Sequence, residues 1–359
     1  MKNQALLSSM IAIALGLIFG LLIMIIANPF TAIPGFFTMI GGWLINAEFL
    51  RRFGDLIFLT GPLILTGLSV GFAFKTGLFN IGATGQYTMG MFAGVWVGIY
   101  GDIFGPFQWI VAFIAAMVMG GIWGFIPGLL KAKFNVHEVI SSIMLNYIGM
   151  YTVNMWIQGD ANLFNIAFSK TRAIDLNAYI PTTFLREIFT RSAIDLGIVL
   201  AIGFSLIIYF ILYKTGFGFE LQAVGNNRFA AKYSGIKEDR SLILSMVIAG
   251  ALAGAAGALY FLAKGSINSG NQYSVGNELL TAGFDGIAVA LLGQSHPFGI
   301  VLSAFFISFI QRGGYFMQTL GIKVEIIDVI IAAIIYTSAM AMLVKDTLIR
   351  HLKKGGKKS

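Results

Sequence analysis

The sequence predicts an all-α polytopic membrane protein, and three observations lead there. The 359 residues are 57% hydrophobic and only 11% charged, with a mean hydropathy of +0.82, whereas a soluble domain carries about 25% charged residues. The apolar residues fall in about ten runs, near the length of about 20 residues that crosses a hydrocarbon core. Gly, Pro and clustered polar residues punctuate those runs, as turns between membrane helices require.

In order, the expected spans lie at 9–27, 56–74, 82–100, 107–130, 139–157, 194–213, 241–263, 283–294, 297–312 and 325–344. The first apolar run, Met10 to Ala27, is too long for a cleaved signal peptide and has no small-residue cleavage site, so it reads as a retained helix. The eighth and ninth spans are short and joined by "GQSHPFG", where Pro297 and the glycines break the helix. Short, interrupted segments in lipid are tolerated where they line a protein-enclosed cavity. The whole chain, 1–359, reads as one transmembrane domain. It carries a cytoplasmic loop at 214–240 and a basic tail at 345–359.

Orientation follows from Lys and Arg. With both termini cytoplasmic, most of the 24 basic residues fall on the inner side, including the tail "KDTLIRHLKKGGKKS". Arg51 and Arg52 oppose that bias, and the long outer loop at 158–193 holds further exceptions. The net charge of +8 sits mostly in the tail, which suits an anionic lipid surface; no basic face for nucleic acid emerges. Cys is absent, which removes disulfides and thiolate metal sites, and three His leave little room for a metal site.

Two stretches carry the functional information. "FKTGLFNIGATGQYTMGMF" (74–92) places glycines and two amides where a membrane helix should be monotonous. Unpaired amides in hydrocarbon cost several kcal/mol. Asn80 and Gln86 therefore either face an internal path or bond neighbouring helices. The same alternatives hold for Asn146 and Asn154, which share a rough helix face with Tyr147 beside them. Tyr87 and Phe284 offer aromatic surface, and Asp285 and Gln294 flank "GIAVALL". An intramembrane acid is functional by default, although Asp285 at an outer end would be solvated. His137 and Glu138 suit a helix start, and His296 before Pro297 reads as structural. "KTGLFNIGATGQY" (75–87) and "KGSINSGNQY" (264–273) suggest an internal repeat.

The second stretch is "KTGFGFELQAVGNNRFAAKYSGIKEDRS" (214–241). Asn226 or Asn227 caps a short helix that Gly235 stops. Phe229, Ala230 and Tyr233 then share one apolar face, with Arg228 and Lys232 on an adjacent basic edge. That face either packs on the chain's own helices or lipid headgroups, or docks into a partner.

"AVGNNRFAAKYSGI" resembles the coupling loop of ABC importer permeases in the branched-chain amino acid, ribose and simple-sugar group. Gly225, Asn227, Ala230 and Gly235 fall on that pattern; Gln222 departs from the Arg expected there. "GLFNIGATGQ" (77–86) resembles another motif of the group. "VHEVISSIMLNYI" (136–148) and "FDGIAVALLGQSHPFG" (284–299) resemble its nucleoside branch. The similarity runs from about residue 56 to 344. It implies a permease subunit that lines the translocation path and pairs with a second permease, more often a different chain. It further implies a cytoplasmic ATPase on the coupling loop and an extracellular substrate-binding lipoprotein that delivers a nucleoside. The alternatives are another simple sugar or a branched-chain amino acid as solute.

No G-x-x-x-x-G-K-[ST] phosphate loop is present, and no catalytic dyad emerges. The expectation is a non-enzyme that binds no cofactor, with ATP used by its partner. An ion-coupled secondary transporter, with Asp285 or Glu278 as carrier, is the rival class.

Overall fold

The computed structural model describes residues 2–45, 48–182, 184–265, 270–323, 325–333 and 336. The basic tail and most of the last expected span lie outside them. The chain gathers into two compact units, one of residues 1–49 and 306–359 and one of residues 50–305.

The smaller unit contains α1 (Lys2–Ala27) and α2 (Pro29–Ile40), separated by Asn28. Asn28 Oδ1 accepts the Phe30 N–H at 3.1 Å, and Pro29 occupies the first turn, where a missing N–H costs nothing. Helix α2 is a finding: the sequence reading had no element there. Its length of 12 residues hid it from a search for full spans. The core of this unit joins Met24, Ala32 and Met39 to Ile310, Met317 and Ile330. Trp43 stacks on Phe316 with ring centroids 5.6 Å apart.

The larger unit contains α3 (Phe49–Lys75), α4 (Ala83–Tyr100), α5 (Gln108–Phe134), α6 (Glu138–Gln158), α7 (Leu185–Ile188), α8 (Gly197–Lys214), α9 (Gly216–Asn226), α10 (Arg228–Tyr233), α11 (Glu238–Phe261), α12 (Ala282–Leu292) and the start of α13 (Pro297–Met317). Among the described residues, five helical stretches are long and apolar enough to cross a membrane: 49–75, 102–134, 197–214, 238–261 and 297–320. Each expected span overlaps a helix among the described residues. The ninth is not short, because α13 runs to Met317. The eighth is: α12 has 11 residues, which extend about 16 Å against a hydrocarbon core of about 30 Å.

Helix α11 packs along α5 and α4. Gly120 and Gly124 on α5 meet Gly250 and Gly254 on α11 across a seam in which an added Cβ would strike backbone. This small-xxx-small pairing brings two helix axes together without side chains between them.

The long loop after α6 is not purely irregular. Phe164–Asn165 pairs antiparallel with Lys170–Thr171, and Lys170 bridges to Ser274. That small ribbon fastens the loop to the segment following α11. The suggested repeat includes residues 266–269, which lie outside the described residues. Its described parts differ, since Tyr87 lies in α4 while Tyr273 lies in an extended segment.

Candidate coupling and translocation site

The coupling segment is built from capped pieces. Thr215 Oγ1 accepts the Gly218 N–H at 3.1 Å and starts α9. Gln222 Nε2 donates to the Leu212 carbonyl at 2.7 Å, so the residue that departs from the family pattern closes the α8–α9 corner. Asn227, not Asn226, caps α10: its Oδ1 accepts the Ala230 N–H at 3.0 Å. Gly235 follows the helix at φ +84°, the left-handed region that favours glycine.

One side of α10 is anchored. Ala231 and Val224 are buried with Leu78, Leu242 and Met246, which ties the segment to the ends of α3 and α11. The other side is open. Phe229 is 75% exposed, Tyr233 is 95% exposed, and Ala230 lies exposed between them. Covering two such rings is worth about 1.5–3 kcal/mol each. Arg228 does not stand free: its Nε donates to Glu238 at 2.7 Å, and Lys232 lies 3.5 Å from the same carboxylate. Sequence reasoning missed Glu238, whose signal was an acid ten residues after Arg228.

Gly225 packs on the loop 76–82. An added Cβ there would collide with the Lys75 carbonyl oxygen and come within 2.9 Å of Gly77 N. Gly77 itself sits at φ +73°. Thr76 and Ser245 hydroxyls bond at 2.8 Å beside this contact. The two sequence stretches singled out above are therefore in contact.

The amides above this contact form a closed network. Asn80 Nδ2 donates to Gln86 Oε1 at 2.8 Å and to Ser69 Oγ at 3.1 Å, and Gln86 Nε2 donates to Asn80 Oδ1 at 3.0 Å. Asn146 Oδ1 accepts the Gly85 N–H at 2.8 Å, and its Nδ2 donates to the Ile81 carbonyl at 3.0 Å. All three amides are buried. Of the two alternatives, this conformation shows the helix-bonding one: Asn80 and Gln86 satisfy each other, Asn146 is satisfied by backbone, and together they fix the start of α4 against α3 and α6.

The remaining candidates separate. Tyr87 is buried edge-on against Phe261. Asp285 is half-buried in the first turn of α12, within electrostatic reach of Tyr87. Phe284 beside it is partly exposed. Gly283 and Gly286 press that turn onto Thr84 and Thr66. Asn154 belongs elsewhere. Its Nδ2 donates to the Gly276 carbonyl at 2.7 Å and its Oδ1 accepts the Tyr273 hydroxyl at 2.9 Å. A cavity of about 550 Å³ opens there, with Tyr151, Gln158 and Asn277 on its wall. Gln294 is displaced from the expected lining. It is exposed at φ +55° in the turn after α12, next to His296, whose ring packs on Tyr213 at the end of α8. Among the described residues, no group of His and acidic side chains could hold a metal ion.

Broken and full-length helices, with a rigidly anchored helix displayed beyond their ends, define a polytopic membrane transport subunit. Residues 52–339 match the family described as branched-chain amino acid transport system / permease component, and the chain belongs to that family. It is 38% identical to the guanosine ABC transporter permease protein NupP of Bacillus subtilis, over 98% of this chain and 97% of the relative. It is 36% identical to the nucleoside ABC transporter permease protein NupB of Lactococcus lactis, over 97% and 94%. A second Bacillus subtilis protein, the guanosine ABC transporter permease protein NupQ, is 27% identical over 70% of this chain and 77% of the relative. No solved structure matches the chain.

Proposed function

We propose that this chain is a permease subunit of an ATP-driven importer of nucleosides. The carrying observation is the open apolar face of α10, held rigidly on a chain that is similar over nearly its whole length to nucleoside permeases. A cytoplasmic ATPase covers Phe229, Ala230 and Tyr233, and its movement passes through Gly225 to the Gly77 loop and α4. ATP is bound and hydrolysed on that partner. Both termini and α10 are cytoplasmic. The ribbon and loop at 158–193, which expose Ile166, Phe168 and Leu176, face outward and receive a substrate-binding lipoprotein.

The presence of NupP and NupQ in one organism, both similar to this chain, favours a heterodimer with a second permease. The path lies between the two subunits. On this chain, Asn154 and the cavity beside Tyr151 form its outer mouth, and Phe284 and Asp285 lie deeper. The Gln158 and Asn277 amides on that cavity wall and the Phe284 ring suit a neutral solute with hydroxyls and a flat base, because each amide both donates and accepts.

Uptake of labelled guanosine and uridine in cells with and without the gene tests the reading. Vanadate-sensitive uptake, inhibited by unlabelled nucleosides but not by ribose or leucine, supports it. Competition by leucine or ribose alone would overturn the solute, and proton- or sodium-driven uptake would overturn the ATPase.

A further inference from the structure

A cavity of about 660 Å³ lies beside α10, where α5 ends and α11 begins. Its rim carries Lys232, Lys237 and Arg240, and its wall carries Ile236, Ile243 and Leu244. The two acids at the rim are already occupied. Glu238 holds Arg228 and Lys232, and Asp239 holds Lys133 at 2.8 Å. Lys237 and Arg240 are exposed and form no ion pair among the described residues. Positive charge is therefore in excess.

Position selects the ligand. Helix α11 is one of the stretches long and apolar enough to cross a membrane, so Lys237 and Arg240 mark its entry, and Ile243 and Leu244 lie about a turn deeper. A soluble phosphate would use the rim and leave the apolar wall uncovered. A zwitterionic lipid would bring a cation to a cationic rim. We infer that the cavity binds an anionic phospholipid, its phosphate on Lys237 and Arg240 and its acyl chains along Ile243 and Leu244. The lipid phosphate competes with Glu238 for Lys232, so occupancy loosens the tie between α10 and α11. Only this last consequence rests on the proposed function.

The test is native mass spectrometry of the purified full-length permease. It is titrated with phosphatidylglycerol and with phosphatidylcholine of the same chains, with and without inorganic phosphate. Phosphatidylglycerol should bind the more tightly and resist displacement by phosphate. Lys237→Gln/Arg240→Gln should weaken it about thirtyfold, since each cation near an anionic headgroup contributes roughly a fivefold factor. Lys237→Arg/Arg240→Lys should restore it and guards against a folding defect. Equal binding of the two lipids, unchanged binding by the Gln variant, or displacement by phosphate would overturn the assignment. So would a Gln variant that binds lipid normally yet loses the ATPase, because the cavity would then serve the partner. Lipid binding that persists where nucleoside uptake is absent would leave this site standing and remove the solute instead.

Discussion

Gly225 of the coupling segment and Gly77 of the loop before α4 lie backbone to backbone, with no room for a methyl group between them. This contact joins the displayed helix α10 to the amide network at the start of α4. A push on α10 has a short, stiff route into the helices, with no long side chain to absorb it.

Gly225→Ala is expected to separate that contact and Gly77→Ala to strain it, the latter by about 1–2 kcal/mol for a left-handed residue. Uptake should fall sharply in both while ATP hydrolysis by the assembled complex persists, which is uncoupling. Parallel loss of both activities at normal assembly would assign the glycines to catalysis of the cycle as a whole and not to transmission.

Asn80→Ala should leave the Gln86 amide buried without its partner, at about 1–3 kcal/mol. Thermal unfolding in detergent should show the loss, and Asn80→Ala/Gln86→Leu should recover part of it. A tenfold fall in uptake with an unchanged melting temperature would return these amides to the solute path.

Burial pushes the Asp195 carboxyl, two residues ahead of α8, up to about 7 against an ordinary 3.8, with the Gly197 N–H opposing. Its Oδ2 has no hydrogen-bond partner. A raised carboxyl contributes stability that is complete below about pH 4 and lost as pH rises through 7. The melting temperature of the native chain relative to Asp195→Asn should therefore fall from pH 4 to pH 8. A constant difference over that range would contradict the buried protonated carboxyl.

Much of this was legible. The apolar runs located helices, five of which among the described residues are long and apolar enough to cross, because lipid demands length and hydropathy together. A cap at Asn226 or Asn227, the Gly235 stop and the shared face of Phe229, Ala230 and Tyr233 were readable from spacing alone, since capping is local chemistry; which Asn caps was not. The pairing of Asn80 with Gln86, and of Asn146 with the Gly85 N–H, was not. A buried amide reads the same in sequence whether it meets a solute or another amide, and only the fold sets its partner. Helix α2 escaped because it is too short to cross. The Lys170 to Ser274 bridge escaped because it joins residues about a hundred positions apart.

A single Cys at Leu176, which is 79% exposed on the loop at 158–193 that we propose faces outward, should crosslink the binding lipoprotein in intact cells, and the native chain has no Cys to confuse the result. Labelling of that Cys only from the cytoplasmic side would invert the proposed orientation.

The most direct measurement concerns Phe229. Phe229→Asp places a carboxylate on the open face of α10 and disturbs no buried contact, so the permease should insert and melt normally. The ATPase should no longer copurify with it, and nucleoside uptake should be abolished, because burying an unpaired charge at that interface costs several kcal/mol. Normal uptake by this variant at normal expression would contradict the claim that ATP drives transport through α10.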